Sequence, residues 1–228
     1  MSSEKPNYLG HRSRMREKFL INSSSVLDYE VLEMLFFAAS PRRDTKIIAK
    51  NLLTKFGNIT NIINADKHLL KDVAGVTDSI IVSIKLIKEI IVRESKDKIS
   101  NKIIINNWQK MIEYCQTNIG NLKSERLHAL FLNKKYQLIS DKIYGGSESA
   151  NTIHINKNVI IKDALNLSTS YVILCHNHPS GNTSPSKQDI LTTKKIKDSL
   201  EDIAIKMLDH IIVAANGEYY SFQKESLI

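Results

Sequence analysis

Residues 171–189 read YVILCHNHPSGNTSPSKQD, and this stretch decides the fold around it. Its first five residues form a short apolar run that predicts a buried strand. Side chains two apart on a strand point to the same side, so His176 and His178 face one point while Asn177 faces away. The segment Ser184-Pro185-Ser186 predicts a helix start with serine as its cap. Asp189 then lies in the first helical turn, facing back toward the strand end.

These three side chains form a ligand set for a metal ion. Two imidazoles and one carboxylate are borderline ligands that suit Zn²⁺. Three protein ligands leave one coordination position open, which distinguishes a catalytic zinc site from a closed structural one. The sequence therefore predicts one zinc ion per chain, held by His176, His178 and Asp189. The alternative is that Ser186 and Asp189 form an ordinary capping box, with both histidines in a surface loop.

The second half of the chain interleaves strand and helix patterns. Strands are predicted at 126–132, 136–143, 171–175, 211–214 and 219–222, with a short one at His154-Ile155. Asn216-Gly217 is a strong hairpin signal between the last two. Helices are predicted near 108–117 and 159–167. A further helix after Ser186 has an apolar face formed by Ile190, Leu191, Ile196, Leu200 and Ile203. This alternation predicts an α/β or α+β domain over residues 103–228, a mixed sheet flanked by helices.

The first hundred residues predict an all-helical domain, residues 1–100. Helical patterns cover 27–36, 44–57, 59–63, 69–73 and 78–94, and the polar segment 95–101 predicts a linker. Residues 66–94 look like a helix-hairpin-helix element, which binds DNA phosphate at a helix N-terminus. Thr77 takes the place of the usual second glycine, so a helical packing module is the alternative. A basic cluster could also meet phosphate or simply face solvent: Arg12, Arg14, Arg16, Lys18 and Arg42-Arg43.

The zinc segment carries a resemblance to known proteins. The pattern H-x-H-P followed by S-x-x-D resembles the JAMM motif of MPN-plus metalloproteases. The surrounding residues, with LDHIIV at 208–213 and GHRSR at 10–14, resemble the bacterial RadC-like proteins more closely still. The resemblance covers nearly the whole chain. It implies an MPN/JAB-like domain and a zinc-dependent metallopeptidase that cleaves peptide or isopeptide bonds with a metal-activated water.

The resemblance also implies a general base, a glutamate on an early strand upstream of the histidines. Glu125 is the best positional match, with Glu113 and Glu148 as competitors. On strand alternation Glu125 shares a face with inward-looking apolar residues, and a carboxylate aligned with a buried face needs a reason such as a metal site. The alternative is a strand-end carboxylate in solvent. Ser186 could donate a hydrogen bond to the oxyanion or serve only as the helix cap.

The remaining candidate residues carry weaker signals. His210 lies in an apolar strand and is interpreted as a structural histidine, with a role behind the metal ligands as the alternative. No role is assigned to His128 or His154. Cys115 and Cys175 form no C-x-x-C pair and are expected to be buried small hydrophobes. The chain lacks the H-x-E and P-C-x-x-C motifs of base deaminases, so the sequence does not favour deamination.

Composition narrows the class of protein further. The 228 residues carry a formal charge of +8, and 42% of them are hydrophobic, which is ordinary for a globular protein. No apolar run reaches the length of a membrane span and no signal peptide is evident, so a cytoplasmic location without membrane contact is expected. Two functions remain: a zinc hydrolase acting on a peptide or protein, or a DNA-associated repair or recombination accessory protein with a structural or vestigial metal site. The sequence gives no indication of oligomeric state.

Overall fold

The computed structural model describes residues 7–41, 43–100, 102–145 and 156–228, with the side chains of 7–9 excepted. The competitor Glu148 and the short strand predicted at His154-Ile155 lie outside these ranges. The chain divides into two compact units, Met1–Ile90 and Ile91–Ile228. The predicted boundary at residues 100–103 stays a prediction. Across the described residues no helix is both long and apolar enough to cross a membrane.

The first unit is helical, as predicted. Apolar side chains from its helices form one core that includes Phe36, Leu52, Ile62 and Ile80. Asp44 caps the third helix through the backbone N–H of Lys46. The helices are α1 (Asn7–Ile21), α2 (Asp28–Ala39), α3 (Thr45–Phe56), α4 (Ile59–Asn64), α5 (Lys67–Lys71) and α6 (Asp78–Asp97), the last extending beyond the unit.

The predicted linker at residues 95–101 is partly wrong. Helix α6 continues through Ser95 and Lys96 to Asp97, because these residues include no glycine or proline that would break the helix. Ile99 is fully buried in a core of the second unit. A polar composition therefore predicted a linker where the chain forms the end of a helix and buries one apolar side chain, Ile99.

The second unit is built on one five-stranded mixed sheet. Its strand order is β2-β1-β3-β4-β5, with β3 and β4 parallel and the other neighbours antiparallel. The strands are β1 (Leu127–Leu132), β2 (Leu138–Tyr144), β3 (Tyr171–Asn177), β4 (Lys206–Val213) and β5 (Tyr219–Ser221). The helices are α7 (Trp108–Cys115), α8 (Lys157–Asn166) and α9 (Lys187–Glu201).

Both faces of the sheet are covered, so β1 and β3 are buried on both sides. Helix α7 packs with Leu130, Ile173 and Cys175 on one face. Helices α8 and α9 pack with Leu174 and other side chains of the opposite face. The predicted fold class, a mixed sheet flanked by helices and preceded by an all-helical region, is confirmed.

The apolar face predicted for α9 is wrong in its first turn. Ile190 and Leu191 are 36% and 53% exposed, whereas Thr193, Ile196 and Leu200 are buried. The buried positions continue the helical row that starts at Asp189, so the helix is rotated to place that carboxylate toward the strand end rather than to bury two aliphatic side chains.

Candidate metal centre

The centre lies where β3, the central strand, ends. His176 is the sixth residue of β3 and is 5% exposed. His178 follows the strand, and its backbone N–H bonds to the carbonyl of Val213, so it stays tied to the neighbouring strand. The Nε2 atoms of His176 and His178 are 3.0 Å apart. The spacing of two residues on extended backbone therefore brings both rings to one point.

Helix α9 supplies the third side chain. Ser186 caps the helix and accepts from the backbone N–H of Asp189, while Asp189 Oδ2 accepts from the backbone N–H of Ser186 at 2.7 Å. The capping box predicted as the alternative is thus present, but it does not exclude the His-His-Asp cluster, since Asp189 belongs to both. Asp189 Oδ1 lies 3.5 Å from His176 Nε2, and its Oδ2 lies 3.5 Å from His178 Nε2. The cap orients the carboxylate toward the two histidines.

These three residues meet the basic requirement for metal ligands. One possible ligand atom from each of His176, His178 and Asp189 lies within 4.8 Å of the others. Among the described residues no other group of three His, Cys, Asp or Glu side chains meets the same criterion. Two imidazoles and a carboxylate are a donor set that fits a divalent ion of borderline softness.

The electrostatics of the cluster differ from residue to residue. Burial lowers the pKa of His176 to about 4, so its ring is neutral at physiological pH, as a metal ligand must be. The hydrogen bond with Asp189 raises the pKa of His178 above its ordinary value. Burial alone would raise the pKa of Asp189, but the bonds from His178 and Ser186 outweigh it and hold that pKa well below its usual range. Asp189 is therefore a carboxylate near neutral pH.

An open cavity of about 360 Å³ adjoins the cluster. Both residues given a catalytic role, Glu125 and Ser186, line it together with the three candidate ligands. The rest of its wall is mostly hydroxyl and amide side chains from the loop after β3 and from the start of α9: Ser180, Asn182, Ser184, Gln188 and Thr192. The competitor Glu113 is exposed on α7 and is not part of this wall.

Glu125 is positioned by a residue that the sequence argument passed over. It lies half-buried just before β1, beside Arg126. The fully buried Asn177 accepts from the backbone N–H of Arg126 at 2.7 Å. Its Nδ2 donates to the carbonyls of Leu122 and Ser124, both at 3.2 Å. Asn177 does face away from the histidines, and there it fastens the segment that carries Glu125 to the strand that carries His176.

His210, for which a role behind the ligands was only the alternative prediction, and Thr193, which the sequence did not indicate, both lie beside the cluster. His210 on β4 approaches His176, with 2.8 Å between His210 Nε2 and His176 Nδ1. Thr193 on α9 bonds to the other ring nitrogen of His210 at 2.5 Å. Burial lowers the pKa of His210 well below its ordinary value. The only sequence signal was a polar residue inside an apolar strand.

A separate polar cluster lies on the opposite face of the sheet. His128 Nε2 and Tyr114 Oη contact Asp141 at 2.9 Å and 2.7 Å, so the histidine to which no role was assigned is an ion-pair partner. Burial opposes the charge of His128, but the bond to Asp141 and its other neighbours outweigh burial and raise the pKa of His128 to about 9. Cys115 and Cys175 are free and buried, as expected.

In the helix-hairpin-helix-like segment of the first unit, a side chain of the protein caps the N-terminus of the second helix, α6. Gly75 adopts a positive φ of +87° between α5 and α6. The Thr77 hydroxyl lies 3.4 Å from the backbone N–H of Ile80, one of the donors that a phosphate would use. Lys71 contacts Asp78 at 3.7 Å. Threonine in the glycine position thus caps the helix.

One member of the basic cluster is committed to the fold. Arg12 donates to the carbonyls of Ser40, Pro41 and Arg43, and its guanidinium lies over the ring of Phe37. Its donors therefore secure the turn between α2 and α3.

The fold and the site together define a class of protein. A mixed sheet between helical layers, with a His-His-Asp cluster at the end of its central strand, defines an α/β domain whose cluster could hold a metal ion. A family model described as a RadC-like JAB domain matches residues 105–227, more than half of the chain. The chain belongs to this family, as the resemblance implied. Membership is compatible with a hydrolytic and with a repair-associated role.

Proposed function

We propose that this chain is a zinc-dependent metallohydrolase, a metallopeptidase that cleaves peptide or isopeptide bonds. One observation carries the proposal: two histidines and one aspartate converge at the wall of an open cavity that a further carboxylate, Glu125, also lines. A closed structural zinc site uses four protein ligands, whereas three ligands leave a position for water or substrate. His176, His178 and Asp189 would hold the ion.

The chain's own residues have separable roles in the proposed reaction. Bound zinc would supply a water of lowered pKa and a Lewis acid for the carbonyl oxygen. Glu125 would take the proton of the attacking water and deliver it to the leaving amine. The oxygen of Ser186 accepts from the Asp189 backbone N–H, which leaves the hydroxyl proton to be donated to the oxyanion. The hydroxyl and amide groups of the cavity wall would bind the polar backbone of a peptide.

The first experiment measures metal. Elemental mass spectrometry of the protein purified without chelators should give about one zinc per chain, and His178→Ala should lose it because two ligands bind zinc far more weakly than three. A wild-type protein that holds no zinc and takes up none on reconstitution would contradict the proposal.

The second experiment separates chemistry from metal binding. Glu125→Gln should keep its zinc and its fold but lose turnover of peptide and isopeptide substrates by about 10²-fold or more, because the amide cannot accept the proton. Glu113→Gln, an exposed glutamate on α7, is the matched control and should leave turnover unchanged. Equal turnover in all three proteins would mean that Glu125 is not the base.

The alternative proposal is a DNA-associated accessory role in repair or recombination. A net charge of +8 supports it. The Thr77 hydroxyl accepts from a backbone N–H at the start of α6, and this weighs against phosphate binding at that position. Binding of duplex DNA should fall steeply as salt rises if phosphate contacts carry it. In that role Glu125→Gln would have no effect on binding.

A further inference from the structure

A chain of three hydrogen bonds runs behind the proposed metal ligands. His176 Nδ1, the ring nitrogen turned away from the cluster, lies 2.8 Å from His210 Nε2. His210 Nδ1 lies 2.5 Å from Thr193 Oγ1, which in turn lies 2.6 Å from the backbone carbonyl of Asp189. This series of hydrogen bonds begins at one proposed ligand, His176, and ends on the backbone of another, Asp189.

The protons in this chain can be placed from its far end. A carbonyl only accepts, so the Thr193 hydroxyl donates its single proton to Asp189. Thr193 Oγ1 must then accept from His210, which therefore carries its proton on Nδ1. His210 is 4% exposed, and its ring nitrogens bond to His176 and Thr193 rather than to an acidic side chain of the described residues, so the neutral ring is the stable form. Its bare Nε2 accepts a hydrogen bond from Nδ1–H of His176.

We infer that His210 and Thr193 are positioning residues that hold His176 in the Nδ1–H tautomer, with the lone pair of Nε2 directed at the metal position. This inference rests on the proposed function, since it gives a reason for the tautomer. Neither residue is one of the proposed ligands, although His210 also lines the cavity beside them. Their effect is on the proton and the ring orientation of His176, and partners of this kind raise the affinity of a histidine ligand.

The residues that form these hydrogen bonds are packed and bonded on several sides. The ring of His210 stacks on Phe222, with centroids 4.8 Å apart and planes at 19°. The Asp209 carboxylate accepts from the backbone N–H of His210 and from the Ser221 hydroxyl, which fixes the strand at this point. Thr193 is fully buried on α9. A ring confined in this way cannot turn to exchange its two nitrogens.

The inference predicts a switch of tautomer in one variant. Thr193→Val removes the acceptor for Nδ1–H of His210. His210 would then place its proton on Nε2 and donate it to His176 Nδ1, which forces the proton of His176 onto Nε2, the metal-facing nitrogen. Thr193→Ser keeps the hydroxyl and should keep the wild-type tautomers. Thr169→Val is the burial-matched control, because the buried hydroxyl of Thr169 has no hydrogen-bond partner within the described part of the chain.

The test uses two readouts on the full chain. Two-bond ¹H–¹⁵N spectra of metal-free protein report which ring nitrogen of each histidine carries the proton. Zinc affinity is measured by competition with a chromophoric chelator. We expect Nδ1–H for His176 and His210 in the wild type, Nε2–H for both in Thr193→Val, and zinc affinity about 10- to 100-fold weaker in that variant alone.

The outcomes separate this inference from the proposed function. Nε2–H on His176 in the wild type, or zinc binding by Thr193→Val as tight as that of the wild type, would overturn the inference and leave the metal proposal standing. If Thr193→Val does not fold, the wild-type spectrum alone decides the tautomer. A wild type with the expected tautomers that binds no zinc would overturn the proposed function and not the proton assignment.

Discussion

Replacement of Asn177 by aspartate changes one atom's hydrogen bonding inside the protein and leaves the shape of the side chain intact. Oδ1 can still accept from Arg126, but the former Nδ2 becomes an oxygen that faces the carbonyls of Leu122 and Ser124. Two donated bonds are lost, and three acceptors meet with no proton between them. The side chain is fully buried, so water cannot compensate.

The magnitude follows from these contacts. Two lost bonds cost about 1 kcal/mol each, and the uncompensated carbonyls and buried charge add about 1–2 kcal/mol, so about 3–4 kcal/mol of unfolding free energy should be lost at pH 8. Burial would raise the pKa of the introduced acid in the folded state. Its penalty is therefore complete above that raised pKa and shrinks as pH falls toward the unfolded value, since a protonated carboxyl can donate again.

The assay is urea unfolding followed by tryptophan fluorescence. The chain has a single tryptophan, Trp108, on α7 of the second unit, so the signal reports the unit that contains Asn177. Asn216→Asp is the control, because exposed Asn216 only accepts, from the backbone N–H of Glu218 at 3.0 Å, and an aspartate accepts equally well. Its unfolding free energy should stay within about 0.5 kcal/mol of the wild type.

The reasoning would be refuted by an Asn177→Asp protein within about 1 kcal/mol of the wild type at pH 8. A large loss of unfolding free energy that does not change between pH 4 and 8 would also refute it. Such a result would show that the loss does not depend on the charge of the introduced carboxylate beside the two carbonyls. The segment with Glu125 would then not depend on Asn177.

Three further predictions concern stability. Asp141→Asn should lower stability at neutral pH by about 2 kcal/mol. Hydrogen bonds from His128 and others outweigh burial and hold the pKa of Asp141 well below its usual range. In acid-unfolding curves the difference from wild type should therefore start to shrink below about pH 4, the pKa of an unfolded aspartate, and vanish only below the lowered folded-state pKa. Ile196→Ala should lower the unfolding free energy measured in urea by about 2–4 kcal/mol, because Ile196 is buried. Leu191→Ala should lower it by less than about 0.5 kcal/mol, because Leu191 is exposed. Gly75→Ala should lower the melting temperature seen by circular dichroism, because Gly75 has φ +87° and an added Cβ would lie 3.0 Å from Ile48 Cγ1.

Sequence reasoning worked best where the chemistry is local. The strand before His176, the spacing of the two histidines and the capping box that places Asp189 all depend on residues within a few positions of one another. Such patterns are set by backbone periodicity and by cap hydrogen bonds, which leave direct traces in the sequence. The convergence of the three side chains follows from those local rules plus one short loop.

The partners behind the ligands could not be found in this way, because strand pairing between distant segments brings them together. Leu174 pairs with His210 across the parallel β3–β4 ladder, after a bulge at Val172 and Ile173 that shifts the register. A change of register by one residue would turn His210 to the other face. Neither the register nor the bulge has a visible signature in the sequence, so the contact with His176 could not be predicted.

The loop between the ligands has two fixed ends. On one side β3 is bonded to strands on both edges, and on the other the capping box fixes the start of α9. Where the loop supports His178, it does so through the backbone carbonyl of Asn182, 2.6 Å from Nδ1, which any amino acid could provide. Gly181 has a positive φ of +85°, and the side chains of Ser180 and Asn182 accept from loop backbone N–H groups. The other side chains of residues 180–185 are open to exchange. Evolution or a protein engineer could exchange them to change which molecule enters the cavity and leave the ligands where they are.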